Sequence, residues 1–169
     1  MKTLYLLRHA HTFGATPPLM RDYERILSPQ GTEEALAVGK FMQERDMYPD
    51  FVLGSSAVRT IQTARLVFGA LFSKAGIKIS SHFDRRIYQA SDERILSEIQ
   101  KMDASIERLL VVGHNPGVAD LAALLMGGET QDYDPGTLTI FKADCRSWAD
   151  FLPEAVRLEQ VFIPNARAA

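Results

Sequence analysis

Arg8, His9, Arg59 and His114 are the side chains whose types and positions could do chemistry together. Arg8 and His9 end the apolar run "TLYLL" (3–7), Arg59 follows "DFVLGSS" (50–56), and His114 follows "RLLVVG" (108–113). Guanidiniums are fork-shaped donors that match phosphoryl oxygens bidentately. Imidazoles add a nucleophile or base and a further donor. Two of each suit a phosphoryl dianion, with an imidazole nitrogen as the attacking atom and a phosphohistidine as the intermediate. The main catalytic task is then to neutralise the charge of the transferring group. There is no Walker-type glycine loop and no G-x-S-x-G elbow, and the single cysteine, Cys145, lies outside these clusters.

For the four residues to meet, the runs before them must be neighbouring strands. "TLYLL" is an apolar run, as strands covered on both faces are, and "RLLVVG" is the clearest buried strand. "KISSHF" (78–83), "TLTIFK" (137–142) and "VRLEQVFI" (156–163) complete the predicted strands. Between them lie helices. Ser28 caps and Pro29 begins one that runs to about Arg45. A second starts near Val58 and stops at Gly76. Ser91 with Asp92 and Glu93 opens a third. Asn115 and Pro116 cap and begin a fourth, through about Met126. Residues 12–28, with Gly14, Pro17 and Pro18, read as a long loop of the kind that carries function. Alternating strands and helices predict an α/β fold, a three-layer α/β/α sandwich with a mostly parallel central sheet. In such sheets ligands sit beyond the carboxyl ends of the strands, where the polar clusters fall.

The chain of 169 residues reads as one domain, 1–169, with 46% hydrophobic and 24% charged residues. Its net charge of −2 argues against a nucleic-acid partner. No apolar run approaches the ~18 residues of a membrane span, and the N-terminus does not read as a signal peptide. One cysteine cannot form an internal disulfide, so a cytoplasmic, reducing compartment is expected. His9 and His11 form an H-x-H pair such as opens a binuclear metal site in barrel hydrolases. Such barrels need about 250 residues, and four histidines without clustered carboxylates do not complete the site. No metal or other cofactor is expected. Oligomeric state is left open.

The motifs also carry a family resemblance. "LLRHAHT" (6–12) resembles the RHG signature of the histidine phosphatase superfamily, with Ala10 in place of the usual glycine. "SSAVRTIQTA" (55–64) resembles its S-x-x-x-R, T-x-Q-T-A block, and "LLVVGHNPG" (109–117) its second-histidine block. "DYERILSPQG" (22–31) and "IYQAS" (87–91) are similar to segments of the SixA-like phosphohistidine phosphatases within it. The resemblance covers roughly residues 2–142 and implies a phosphoglycerate mutase-like fold. It implies that His9 is the nucleophile, that Arg8, Arg59 and His114 hold the phosphoryl oxygens, and that Arg25 reaches the substrate or braces its loop. The bland alternative for Arg25 is an ion pair with Asp22 or Glu24. Where many members carry a general-acid glutamate, this chain has Gln89. Asp92 or Glu93 could supply the acid instead.

The reading that results is a metal-independent phosphatase acting on a phosphorylated protein, through phosphohistidine. The alternatives are a phosphomonoesterase acting on a small phosphorylated molecule and a phosphate-binding module without turnover. His11 and His82 read as incidental, Cys145 and Trp148 as packing residues. Arg59 at a helix start opposes the helix dipole, which is easier to explain by an anionic ligand than by stability.

Overall fold

Successive residues of a strand point to opposite faces, so a strand apolar at every position must be covered twice. β1 (Lys2–Arg8) has such a run from Leu4 to Leu7. Leu4 and Leu6 pack into one core with Leu53, Leu109 and Val111. Tyr5 and Leu7 pack into another with Val52, Leu110 and Val112. The structure is a computed structural model and describes residues 1–14, 21–75, 79–129 and 133–164.

The other strands are β2 (Phe51–Ser55), β3 (Ser80–Asp84), β4 (Arg108–Gly113), β5 (Leu138–Ala143) and β6 (Val156–Phe162). They form a six-stranded sheet in the order β3-β2-β4-β1-β5-β6. β1 to β4 run parallel, β5 lies antiparallel to β1, and β6 antiparallel to β5. α1 (Pro29–Glu44) and α2 (Val58–Ala75) cover one face through Val38, Met42, Ala64 and Val67. α3 (Asp92–Gln100) and α4 (Gly117–Leu125) cover the other through Ile95, Ile99, Val118 and Leu121. The architecture is the expected α/β/α sandwich.

The caps explain most boundaries. Ser28 Oγ accepts the Gly31 N–H at 3.1 Å, with Pro29 in the first turn. Ser91 Oγ accepts the Arg94 N–H at 3.3 Å. α4 departs from expectation. Pro116 occupies its N-cap and the helix begins at Gly117. Asn115 does not cap it, because its side-chain amide donates to the Tyr133 carbonyl at 3.1 Å. The expected stop at Gly76 lies outside the described residues. So does the middle of the 12–28 loop. Its ends are joined by an antiparallel bridge between Thr12 and Leu27, and Asp22–Glu24 forms a short 3-10 turn. Trp148 is fully buried, as a packing residue should be, and donates its indole N–H to the Ile106 carbonyl. Among the described residues no helix is long and apolar enough to cross a membrane.

Two glycines permit contacts that hold the loops at the carboxyl ends. A Cβ on Gly31 would overlap the carbonyl oxygen of His11, and one on Gly117 the carbonyl oxygen of Ala90. In both cases the obstacle is backbone, which cannot rotate away. Gly31→Ala is therefore expected to destabilise the protein by roughly 1–3 kcal/mol, the usual cost of overpacking. Gly69→Ala, in α2 with open space where the Cβ would go, is expected to stabilise it by about 0.5–1 kcal/mol. Urea melts of the two variants beside the parent check both signs.

Candidate active site

The strand order brings the carboxyl ends of β2, β4 and β1 side by side. Arg8 pairs with Gly113, and Gly54 with Val112, so the three chains leave the sheet at nearly one level. The next residues on β1 and β4 are His9 and His114, whose ring centroids are 5.1 Å apart. Arg59 enters from the first turn of α2. With Arg8 they line a cleft of about 400 Å³, so all four predicted residues meet.

The loop that presents His9 is held by its own backbone. The His9 N–H donates to the Gly113 carbonyl at 3.0 Å, and the Gly136 N–H to the His9 carbonyl at 3.2 Å. The Ala10 N–H donates to Thr63 Oγ1 at 3.1 Å, tying the loop to α2. His9 Nδ1 lies 2.8 Å from the Ala10 carbonyl oxygen, which can only accept. Nδ1 therefore carries the proton, and Nε2 keeps its lone pair. That lone pair accepts from Arg59 Nε at 3.2 Å. Burial first, then the charges of Arg59 and Arg8, lower the His9 pKa to about 4, so its ring is neutral near pH 7. A neutral imidazole unprotonated at Nε2 is the form a nucleophile needs.

His114 is also neutral. Burial, then His9 and Arg59, push its pKa down to about 3. Its Nε2 lies 2.7 Å from Ser55 Oγ, and its Nδ1 is buried without a partner among the described residues. Arg8 donates from Nη1 to the Tyr133 carbonyl at 2.6 Å, and its Nε has no partner among the described residues.

Asp22 is the residue that sequence reasoning missed, noting it only as a possible partner of Arg25. Its Oδ2 accepts from Tyr88 Oη at 2.7 Å, Arg59 Nη2 at 2.9 Å and Gln89 Nε2 at 3.4 Å. Its Oδ1 accepts from Arg25 Nη1 at 3.2 Å, and its carbonyl from Arg59 Nη1 at 2.6 Å. Burial alone would raise its pKa. The bonds from Tyr88, Arg59 and Arg25 outweigh that and bring it to about 2. The signal lay in the quoted "DYERILSPQG", where Asp22 stands three residues before Arg25.

Both readings of Arg25 meet in the structure. It pairs with Asp22, braces the loop through Thr12 Oγ1 and the Phe13 carbonyl, and lines the cleft. Gln89 lines the cleft too, at a left-handed φ of 49° that a residue other than glycine adopts only under constraint. Asp92 and Glu93, the candidate replacement acids, lie in the first turn of α3 and do not line the cleft. His11, expected to be incidental, does form part of the wall and is held through Nδ1 by Ser28 Oγ at 2.7 Å. Among the described residues no three His, Cys, Asp or Glu side chains cluster as metal ligands.

The profile of the histidine phosphatase superfamily, branch 1, matches residues 4–79. An uncharacterised protein of Mycobacterium tuberculosis is 32% identical over 119 residues, 70% of this chain and 69% of its own length. A protein of Nakamurella multipartitia assigned as the phosphohistidine phosphatase SixA superposes with a TM-score of 0.83 at 27% identity, covering 98% of this chain and 97% of that one. Its counterpart from Agrobacterium tumefaciens superposes with a TM-score of 0.79 at 25% identity, covering 97% and 99%.

The lowered imidazole pKa values make stability depend on pH with a definite sign. An unfolded histidine binds a proton near pH 6.5, but His9 in the folded protein does so only near pH 4. As pH falls through that window the unfolded state takes up a proton that the folded state refuses, so stability is lost. The expected loss from pH 6.5 to pH 4.5 is on the order of 1–3 kcal/mol for His9. His114 adds to it in the same direction. Denaturation midpoints across this range check the slope, and His9→Gln should reduce it to the part that His114 contributes. A flat parent profile would contradict the neutral, buried imidazoles.

Proposed function

The chain belongs to the histidine phosphatase superfamily, and from that premise we propose that it hydrolyses the phosphohistidine of a phosphorylated protein through a phosphoenzyme at His9. The observation that carries this reading is the nature of the group at the mouth of the cleft. Gln89 is an amide and Asp22 is held ionised, so neither offers a proton at neutral pH.

A leaving alkoxide needs a proton, and a general acid contributes about 10²–10⁴-fold to that step. A leaving imidazole does not. In the first step His9 Nε2 forms a bond to phosphorus while the substrate's P–N bond breaks. The electron pair of that bond goes to the substrate nitrogen. When the substrate ring carries a proton on its other nitrogen, it departs as neutral imidazole. Before attack, Arg59 Nε must leave the His9 lone pair; its N–H groups then meet the phosphoryl oxygens with Arg8. In the second step water attacks phosphorus, the P–N bond to His9 breaks, His9 recovers its lone pair, and the water's proton leaves with phosphate. The arginines neutralise the transferring group in both steps, so the reading needs no metal. The single cysteine fits a reducing compartment such as the cytoplasm.

Rates on a phosphohistidine protein and on a panel of sugar and nucleotide phosphates test the reading. The expected preference for phosphohistidine is at least 10²-fold, the value of the missing acid. A phosphoenzyme should be trapped by quenching without acid, and His9→Ala should abolish both it and turnover. Chelators should leave the rate unchanged. Equal rates on alkyl phosphates would favour a phosphomonoesterase, and binding of phosphate without turnover a binding module.

Gln89→Glu is a sharper test. The new carboxyl would stand beside the ionised Asp22, now 3.4 Å from the Gln89 amide nitrogen, and a like charge raises a carboxyl's pKa. It would therefore hold its proton better than an ordinary glutamate. Alkyl-phosphatase activity is expected to rise relative to phosphohistidine phosphatase activity, read as the ratio of the two kcat/KM values.

A further inference from the structure

Ser55 ends β2, is fully buried, and has no role in the steps above. Its Oγ accepts the Ala57 N–H at 3.2 Å and lies 2.7 Å from His114 Nε2. A hydroxyl has one proton to give. Among the described residues the only acceptor that Oγ meets is His114 Nε2. Thr60 Oγ1 is a second, longer contact to the same nitrogen, at 3.4 Å. A neutral imidazole that accepts at Nε2 carries its hydrogen on Nδ1. In His114, 3% exposed, that nitrogen is the buried one without a partner among the described residues.

The choice of tautomer has a chemical consequence. Free imidazole can carry its proton on either nitrogen. Ser55 engages Nε2, so Nδ1 is the nitrogen of this cleft-lining ring left for an oxyanion, and with the proton on Nε2 its lone pair would repel a phosphoryl oxygen there. With the proton on Nδ1, the same ring offers a hydrogen bond. We propose that Ser55 is a positioning residue that holds His114 as the Nδ1–H tautomer, so that a neutral N–H meets a phosphoryl oxygen. The burial that keeps the ring uncharged leaves the tautomer as the variable that decides whether His114 donates. The proposal rests on the phosphoryl chemistry assigned to the cleft, but not on which phosphorylated substrate is used.

Nitrogen-15 correlation spectra of the histidine rings test it, and the chain has only four histidines to assign. The parent protein is expected to carry the His114 proton on Nδ1. Ser55→Ala is expected to lose that signature while His9, set by the Ala10 carbonyl, keeps its own. Tungstate is the oxyanion probe, and its Kd should weaken by about tenfold or more, the value of one hydrogen bond to a charged oxygen. A parent His114 protonated on Nε2, an unchanged tautomer in Ser55→Ala, or an unchanged tungstate Kd would overturn the proposal. Should Ser55→Ala fail to fold, the parent tautomer decides alone. A failure of the phosphohistidine reading would appear in the substrate panel and leave the tautomer as it is.

Discussion

The parallel pairing of β4 between β1 and β2 is the constraint on which the site depends. Parallel strands in register end on one edge of the sheet, and a chain leaving that edge must turn at once. Here the residues at that edge are His9 after β1, His114 after β4 and Ser55 at the end of β2, with Arg59 a turn later in α2. A one-residue slip of β4 would exchange its two apolar sets between the cores and carry His114 away from His9. Both sets are apolar, so the close packing of the two cores, rather than polarity, opposes the slip. Leu109 and Val111 belong to one core, Leu110 and Val112 to the other.

Within this frame the electrostatics are unusual for a site proposed to bind an anion. Two imidazoles stay neutral beside two guanidiniums, because burial and the arginine charges both disfavour a further proton. The guanidiniums in turn need partners. Asp22 supplies them to Arg59 and Arg25, and the Tyr133 carbonyl supplies one to Arg8. Asp22 thus occupies the fork of Arg59, while Arg59 Nε covers the lone pair of His9. A phosphoryl dianion carries more charge than a carboxylate and is the better partner for the fork. On the function proposed above, substrate would draw Arg59 off His9 and so uncover the proposed nucleophile.

The same residue also bears on the leaving group. A carboxyl pinned by three donors to a pKa of about 2 cannot serve as an acid at neutral pH. Gln89, on a constrained backbone at the same mouth, replaces a second possible carboxyl with an amide. The cleft is thus strong in charge neutralisation and poor in proton donation. That balance suits an imidazole leaving group and penalises an alkoxide.

What the sequence determined alone was whatever is encoded locally. Unbroken apolar runs dictated doubly covered strands, Ser28 and Ser91 announced helix starts, and Arg8, His9, Arg59 and His114 stood at run ends in recognisable motifs. Gln89 was legible through "IYQAS". Tertiary structure decided what depends on long-range geometry. Asn115 was drawn from capping α4 by a carbonyl at Tyr133. His11 was brought into the cleft wall by Ser28 and by the close approach that Gly31 permits. Asp22 became the hub of the site because Tyr88, Arg59 and Gln89, all more than thirty positions away, converge on one oxygen. Ser55 met His114 across a strand boundary 59 residues apart. Periodicity and capping follow from neighbours along the chain, whereas the pairing of a buried charge or a ring nitrogen follows from whichever distant group the packed sheet sets within 3 Å of it.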